Sequence, residues 1–405
     1  MKKKDILFLQ QFFYPEYISS ATLPFDTAVR FAQEGYSVDV LCGYPYEYSQ
    51  GEKIPTRETV NNVNIRRVKY TRMDKKIKIG RLINYVSLTV SMFMHLFSMR
   101  AYKTVIVYSN PPILPLVAAW ASRLFKCNLI FVAYDLYPEI AVRTKVISDS
   151  SLIARLMQFV NKSVYRQVSS VVVLSSEMKD YLVKNRNISE EKVVVIPNWY
   201  KDEYKDSCDL GENSFASVTK GRFAVGYFGN MGIAQDMVPI KEAIKYYKDD
   251  KDICFILAGH GTKHQEMVNL VEEEKIDNAY IYGFLKGQEY LDALKVSNCA
   301  IISLEKNLTG LCSPSKTYGC MMQGLPIVAI MDESDIVRDV RSGAGYHVCG
   351  NLSKSLIDLI GEMKSDIQLC RQKGECSRQI YLNNYTPDIC LDKYVQLMKK
   401  ISQVD

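Results

Sequence analysis

No C-x-x-C pair and no paired spacing occurs among the eleven cysteines. That excludes a disulfide framework and a zinc site of the usual spacing, and fits reduced, mostly buried thiols in a cytoplasm. The chain also lacks G-x-G-x-x-G, so a dinucleotide site of that type is not supported. Acidic residues are nearly missing between Arg66 and Arg81, where eight basic residues accompany the single Asp74. Such a cluster attracts anionic lipid, nucleic acid or phosphorylated substrate. From Leu82 to Met99 there is no Asp, Glu, Lys or Arg for 18 residues. By length this is a borderline membrane span. Asn84, three Ser, Thr89 and His95 weaken that reading. So does topology, because Thr104–Tyr108 reads as a strand that pairs with strands preceding the segment. A helix packed on its own domain is expected, with the basic stretch and part of its apolar face near a membrane; a wholly buried core helix is the alternative. The opening Met1-Lys-Lys-Lys-Asp5 leads straight into a strand, so no signal peptide is expected.

What is present is ordinary globular material, 47% apolar and 24% charged over 405 residues, enough for two or three domains. Its organising stretch runs from Ser313 to Ile330: S-P-S-K-T-Y-G-C-M-M-Q-G-L-P-I-V-A-I. Ser313 reads as an N-cap with Pro314 at the first helical position. Gly324 and Pro326 end the helix, and Pro326–Ile330 makes a strand apolar on both faces, as in a parallel sheet. Cys299–Ser303 is the strand that feeds the loop. The helix N-terminus with Lys316 suits an anion such as a diphosphate; an ordinary β-loop-α connection is the alternative.

The same grammar recurs along the chain. Strand 5–9, a loop from Gln10 to Thr22, a helix from Leu23 to Gln33 and strand 37–41 open a doubly wound domain. Strands at 63–68, 104–108, 128–132, 170–174 and 193–196 continue it, with helices at 113–125 and 152–167. Ser175 caps another helix. Pro197–Gly221 is polar, has no apolar period and reads as a linker. Strands then restart at 223–228, 253–258 and 279–282, with glycine loops at Gly229–Asp236 and Gly259–Gly261, and a last strand begins at Gly345. The expected organisation is a first domain over 1–196, the linker 197–221 and a second domain over 222–386. Closing helices include one from about Pro387 that folds back onto the first domain. Two such domains in series suggest a cleft between carboxyl sheet edges.

Several motifs, taken in order, resemble a family 4 glycosyltransferase of GT-B architecture, nearly end to end. They are Gln11-Phe-Phe-Tyr-Pro-Glu16, Ser109-Asn-Pro-Pro112, Asp135-Leu-Tyr-Pro-Glu139, Leu174-Ser-Ser-Glu-Met178, Ile196-Pro-Asn198, Gly229-Asn-Met-Gly-Ile-Ala-Gln235, Ala258-Gly-His-Gly261 and Pro314-Ser-Lys-Thr-Tyr318 with Gly324 and Pro326. The subfamily most resembled includes L-N-acetylfucosamine transferases of bacterial surface polysaccharide synthesis. The resemblance implies two Rossmann-like α/β domains facing a central cleft, an acceptor-binding one followed by a nucleotide-sugar-binding one. It implies retaining transfer of a sugar from a nucleotide-diphosphate donor, most simply a UDP-sugar. The acceptor implied is a polyprenyl-linked saccharide, in capsule, O-antigen or exopolysaccharide synthesis at the cytoplasmic face of the membrane. No cofactor, metal or nucleic acid is implied, because backbone N–H groups and basic side chains hold the leaving diphosphate.

Residue by residue, the resemblance assigns Gly229, Asn230, Gly232, Gln235, His260, Ser315, Lys316, Tyr318 and Gly319 to the donor. A helix-surface lysine is the alternative for Lys316, and a solvated loop histidine for His260. Asp135, Glu139 and Glu16 are the candidate catalytic carboxylates, able to orient or deprotonate the acceptor hydroxyl; Asp135 also suits a helix cap. Ser19, Ser20 and Asn110 fall on the acceptor side. Lys75, Lys76, Lys78 and Arg81 are expected on an anionic membrane surface. Core packing is the expectation for His95. The chain departs from the family at Ile233, where many members carry Arg, and at Gly319, where they carry a Glu for the donor ribose. That departure keeps open a non-catalytic partner subunit, and the architecture keeps open a nucleotide-sugar epimerase. If the space at Gly319 is used by the donor, a bulkier donor or a shifted ribose sits against the helix.

Overall fold

The computed structural model describes residues 3–46, 53–74, 77–204 and 213–403. It divides into two compact units. The first comprises Met1–Pro197, Gly310–Ser313 and Cys390–Asp405; the second comprises Asn198–Thr309 and Pro314–Ile389.

The first unit carries β1 (Lys4–Gln10), β2 (Val38–Gly43), β3 (Arg57–Val60), β4 (Val63–Val68), β5 (Tyr102–Tyr108), β6 (Asn128–Ala133), β7 (Ser170–Val173) and β8 (Val193–Val195). They form one sheet in the order β3-β4-β2-β1-β5-β6-β7-β8. Every pairing is parallel except β3 with β4. That hairpin turns on Asn61 and Asn62, both at positive φ (48° and 62°), which asparagine tolerates and a tight two-residue turn requires. Ile6, Phe8, Val105, Ile106, Leu129 and Val132 are fully buried, which explains their near-continuous apolar runs: both faces of the sheet are covered.

The helices of this unit are α1 (Ser19–Gln33), α2 (Lys78–Phe93), α3 (Pro115–Phe125), α4 (Glu139–Arg143), α5 (Leu152–Gln167) and α6 (Ser176–Arg186). Helix α1 starts four residues earlier than its proline suggests, because Pro24 lies inside it rather than at its first turn. Ser19 and Ser20 are therefore first-turn helix residues, not loop residues. The caps of α5 and α6 are Ser151 and Ser175, each accepting an N–H three residues on. The uncharged segment does not run as one helix. Helix α2 ends at Phe93, and Leu96–Ala101 is a 3-10 turn. Its buried stripe is Asn84, Leu88, Met92 and Leu96. The Asn84 side chain accepts the Met73 N–H and donates to the Met73 carbonyl, both at 2.9 Å, which clamps the chain before the helix onto it. Among the described residues no helix is long and apolar enough to cross a membrane.

The second unit carries β9 (Phe223–Phe228), β10 (Ile253–Ala258), β11 (Ala279–Tyr282), β12 (Cys299–Ser303), β13 (Ile327–Ile330) and β14 (Gly345–His347), all parallel, in the order β11-β10-β9-β12-β13-β14. Around them lie α7 (Ala216–Thr219), α8 (Val238–Tyr246), α9 (His264–Glu273), α10 (Gln288–Val296), α11 (Lys316–Met322), α12 (Asp335–Asp339), α13 (Leu352–Ser365) and α14 (Ile367–Asn384). The described ends of the expected linker are packed rather than loose. Tyr381 Oη donates to the Tyr200 carbonyl (2.7 Å), Arg378 pairs with Asp202 (2.8 Å), and the Phe215 ring meets Tyr282 edge-on. The last helix, α15 (Pro387–Ser402), joins the first unit from Cys390 onward, where Asp392 pairs with Arg30 of α1 and Lys399 with Glu34, the C-cap of α1.

In each sheet the strand order reverses beside one strand, at β1/β5 and at β9/β12. Loops leaving the carboxyl ends there diverge to opposite sides and leave a crevice, the usual ligand position in open α/β sheets.

Candidate functional site

At the carboxyl edge of the second sheet, the loops after β9 and β10 cross in contact. Gly229 donates to the Ala258 carbonyl and Met231 to that of His260, each at 2.7 Å, and Lys263 donates to that of Met231 (2.8 Å). A Cβ on Gly259 would lie 1.8 Å from the Gly229 carbonyl oxygen, and one on Gly261 would lie 2.5 Å from Asn230 Oδ1. The glycines thus allow one loop to pass the other before they allow a ligand to approach.

Lys316 reaches into this crossing from the first turn of α11. Its stem lies along Gly229, where a Cβ would come within 3.2 Å of its Cδ. Its Nζ stands 3.6 Å from the centre of the Tyr227 ring, a cation–π contact. Tyr227 is itself held by its hydroxyl, which donates to the Asn230 carbonyl (2.6 Å). The ammonium is buried without a hydrogen-bond acceptor among the described residues, and that burial pushes its pKa down to about 7. Lys316 is therefore no surface lysine. Its helix has only seven residues and begins two later than expected: Ser315 is the N-cap, and the Pro314 carbonyl accepts from Thr317 Oγ1 (2.8 Å). Charge here comes mainly from the lysine.

The other donor-side candidates divide. Gln235 turns back to accept the Gly232 N–H (3.0 Å), so both are committed to the loop's own turn. Tyr318 is 3% exposed and packs on Tyr385 at 4.6 Å, which makes it a core residue. His260 is exposed beside Phe284, and partial burial with the neighbouring His264 lowers its pKa. At Gly319 there is no open space: a Cβ would lie 2.5 Å from Tyr290 Oη and 3.4 Å from Tyr200 Cδ2. The protein's own tyrosines fill the position, which corrects the expectation that a donor uses it. Lys263 and Glu305 carry no motif signal, yet they tie this edge together. Lys263 Nζ donates to the Gln235 carbonyl (2.6 Å) and to Glu305 Oε1 (2.8 Å).

At the edge of the first sheet, Asp135 follows β6 and is bracketed from two sides. The Ser109 hydroxyl accepts the Tyr134 N–H (3.1 Å) and the Asp135 N–H (3.4 Å). Residues 310–313 run alongside: Leu136 donates to the Leu311 carbonyl (2.8 Å), and Asp135 bridges to Cys312. Burial raises the Asp135 carboxyl to about 6, and Tyr85, Tyr137 and Cys312 lie near enough to feel its charge. Asp135 is not the cap of α4; Pro138 is. Glu139 is ion-paired with Arg186, which also donates to the Tyr137 carbonyl (3.4 Å), so its carboxylate holds the loop. Glu16 is 3% exposed and accepts the Phe13 N–H (3.3 Å), shaping the turn after β1. Asn110 is half-buried in the loop after β5 beside Ser109; Ser19 is exposed and Ser20 half-buried. His95 is not packed in the core as expected but half-buried, because it lies past the end of α2 as the N-cap of the 3-10 turn; its pKa is lowered by that burial and by Arg66 and Arg57. Of the expected membrane cations, Lys75 and Lys76 lie outside the described residues, Lys78 opens α2, and Arg81 is exposed.

Asp250 and Asp252, the acidic pair before β10, share Lys364 at 3.2 Å each. Among the described residues no three His, Cys, Asp or Glu side chains converge as metal ligands.

Residues 25–199 match the family model of the glycosyl transferase 4-like domain. A curated relative, the "probable glycosyltransferase WbjE" of Pseudomonas aeruginosa, is 25% identical over 297 residues, 72% of this chain and 73% of that one. The crystal structure of Anabaena HepE in complex with UDP and glucose superposes with a TM-score of 0.74 at 14% identity, covering 98% of this chain and all of that one. WaaG, a glycosyltransferase involved in lipopolysaccharide biosynthesis, gives a TM-score of 0.71 at 12% identity over 96% and 98% of the two chains.

Proposed function

We propose that this chain, a glycosyltransferase of GT-B fold with a family 4-type first domain, transfers a sugar from a UDP-sugar to a lipid-linked saccharide, with retention and without a metal. The observation that carries the donor half is Lys316: a buried ammonium with no acceptor among the described residues, at the carboxyl edge of a doubly wound sheet. A diphosphate supplies the missing acceptors, and the charge is strong because the ammonium itself is shielded from water. The HepE structures, solved with UDP, with UDP and glucose and with UDP-glucose, support uridine as the nucleoside.

For the acceptor half, Asp135 is the candidate base. Burial lifts its pKa towards neutrality, where a carboxylate exchanges protons most effectively with a hydroxyl. Glu139, paired with Arg186, holds the loop that presents it, and Glu16 shapes the turn after β1. The lipid-linked acceptor, and a place in capsule, O-antigen or exopolysaccharide assembly at the cytoplasmic face of the cell membrane, find support in the named role of WaaG and in the basic stretch at Lys75, Lys76, Lys78 and Arg81. Among donors, UDP-linked L-N-acetylfucosamine is the first to test.

The experiment is a hydrolysis and transfer screen over UDP-, GDP- and TDP-sugars with and without EDTA, the product's anomeric configuration being read by NMR. A UDP-sugar turned over in EDTA with retention is expected. Inversion, or activity only with added metal, would overturn the mechanism.

A further inference from the structure

Helix α2 has a second apolar stripe, opposite the buried one. Ile79, Ile83, Val86, Val90 and Phe93, continued by Phe97, recur at steps of four and three, and all are exposed, Phe97 by 72%. The stripe does not stop at α2. The Phe93 ring meets Trp120 of α3 edge-on at 5.6 Å, and Phe97 meets Phe125 at 6.2 Å. Beyond Trp120 a groove of ≈ 420 Å³ runs between α3 and α5, lined by Trp120 and Arg123 on one side and Phe159 and Arg166 on the other. Helix α5 then adds Leu152, Leu156 and Phe159, exposed by 82%, 53% and 60%. An apolar surface this continuous marks an interaction site.

The charges say what it meets. Helices α2, α3 and α5 contain no Asp or Glu at all, while Arg81, Arg123, Arg155, Lys162 and Arg166 are exposed on them. A second copy of the chain on this face would set like charges against one another, which a two-fold interface disfavours. An anionic bilayer satisfies both features: apolar side chains enter the acyl boundary, guanidinium groups take lipid phosphates, and tryptophan sits at the interface.

We infer that the α2–α3–α5 face docks flat on an anionic membrane, with apolar side chains inserted and the Arg123–Arg166 groove holding lipid phosphate. The inference deepens the membrane reading above and rests on it. It extends the contact from the basic stretch and the α2 face to a broad amphipathic platform that includes α3 and α5, so binding resists salt.

Flotation of the purified full chain with phosphatidylcholine vesicles, with and without phosphatidylglycerol, tests it. The wild type should float with the anionic vesicles and stay bound in high salt. The pair Leu156→Glu and Phe159→Glu should lower vesicle affinity about tenfold or more, and Arg123→Ser with Arg166→Ser should lower it about tenfold on anionic vesicles alone. Far-UV dichroism and UDP binding should stay unchanged in both. The four-site variant with Ser at 75, 76, 78 and 81 separates the two readings. If it alone releases the protein, the basic stretch is the tether and the platform is wrong, while the membrane reading survives. If the wild type floats with no vesicle, both fail. If light scattering shows a dimer that Phe159→Glu splits without changing flotation, the face is a self-association surface and the inference is overturned.

Discussion

At the carboxyl edge of the first sheet the buried charge is a carboxylate, Asp135, raised to about 6; at that of the second it is an ammonium, Lys316, lowered to about 7. Both shifts have burial as their leading cause, and it acts in opposite directions because it always disfavours the charged form. The loops that frame the two groups differ as well. Around Lys316 they are backbone-rich, with glycines admitting neighbouring chain at distances no Cβ allows. Around Asp135 they are side-chain-rich, held by Ser109, Glu139–Arg186 and the 310–313 strip. One frame, two parallel sheets with ligand loops at the carboxyl edge, has been fitted with a cationic cradle in one unit and an acidic, hydroxyl-lined edge in the other.

Removing the cation is the harshest test of that contrast. Lys316→Met should weaken UDP binding about a hundredfold or more, since truncating a buried charge partner costs about 2–5 kcal/mol. Stability should move the other way. A lysine whose folded pKa is below its unfolded one opposes folding when charged, so wild-type stability rises as pH goes from about 7 towards 10.5. The variant should gain most at or below pH 7 and lose its advantage above pH 10. Calorimetric titration with UDP and thermal melts across pH read both effects; undiminished UDP binding would remove the cradle.

Asp135→Asn should cut transfer by roughly 10²–10⁴ and leave UDP affinity unchanged. Here the folded pKa lies above the unfolded one, so wild-type stability falls as pH rises from 3.8 to about 6, and the variant should be the more stable protein above pH 6. Full transfer by the variant in a steady-state assay would move the base elsewhere.

A smaller effect sharpens the cationic side. Diphosphate raises the pKa of Lys316, so UDP binding should take up a proton above pH 7, and affinity should fall by up to about tenfold per pH unit there. Calorimetry in buffers of different ionisation enthalpy measures the uptake, which Lys316→Met should abolish.

The smallest concerns packing. Gly319→Ala gains about 1 kcal/mol in helix propensity but meets Tyr290 Oη at 2.5 Å, and overpacking costs about 1–3 kcal/mol. A net loss of stability is expected, relieved by adding Tyr290→Phe, which removes that oxygen. Denaturant melts of the single and double variants decide it; an additive pair would mean that the contact carries no strain.

The strands were readable because parallel strands covered on both faces leave a continuous apolar run, as at Ile6–Leu9 and Ile253–Ala258, bounded by turn residues. Lys316 was also readable, in the first turn expected after Ser313 and Pro314, although the helix itself starts two residues later, with Ser315 as its cap. Its neighbour Tyr227 was not, because nothing in the strand Phe223–Phe228 says which ring will turn towards a lysine some ninety positions later. Tyr290 was invisible for the same reason: the glycine at 319 signalled missing bulk, and only the packing of α10 shows what occupies it. Gln235 and Tyr318 misled because a motif records residue type and order, while their side chains turn to a local N–H and to Tyr385.

By itself the sequence determined two doubly wound α/β units, a return of the last helix to the first, an aspartate just past a buried strand, and a lysine at the start of the helix that follows another. These follow from local periodicity, turn chemistry and the order of elements, all of which are written along the chain. Tertiary structure alone decided that Lys316 has no acceptor among the described residues, that Glu139 and Glu16 brace loops, that residues 310–313 belong beside Asp135, and that α2 turns one apolar stripe inward and one outward. Burial, ion pairing and exposure are properties of what stands next to a residue in space. For these residues the neighbours come from distant parts of the chain.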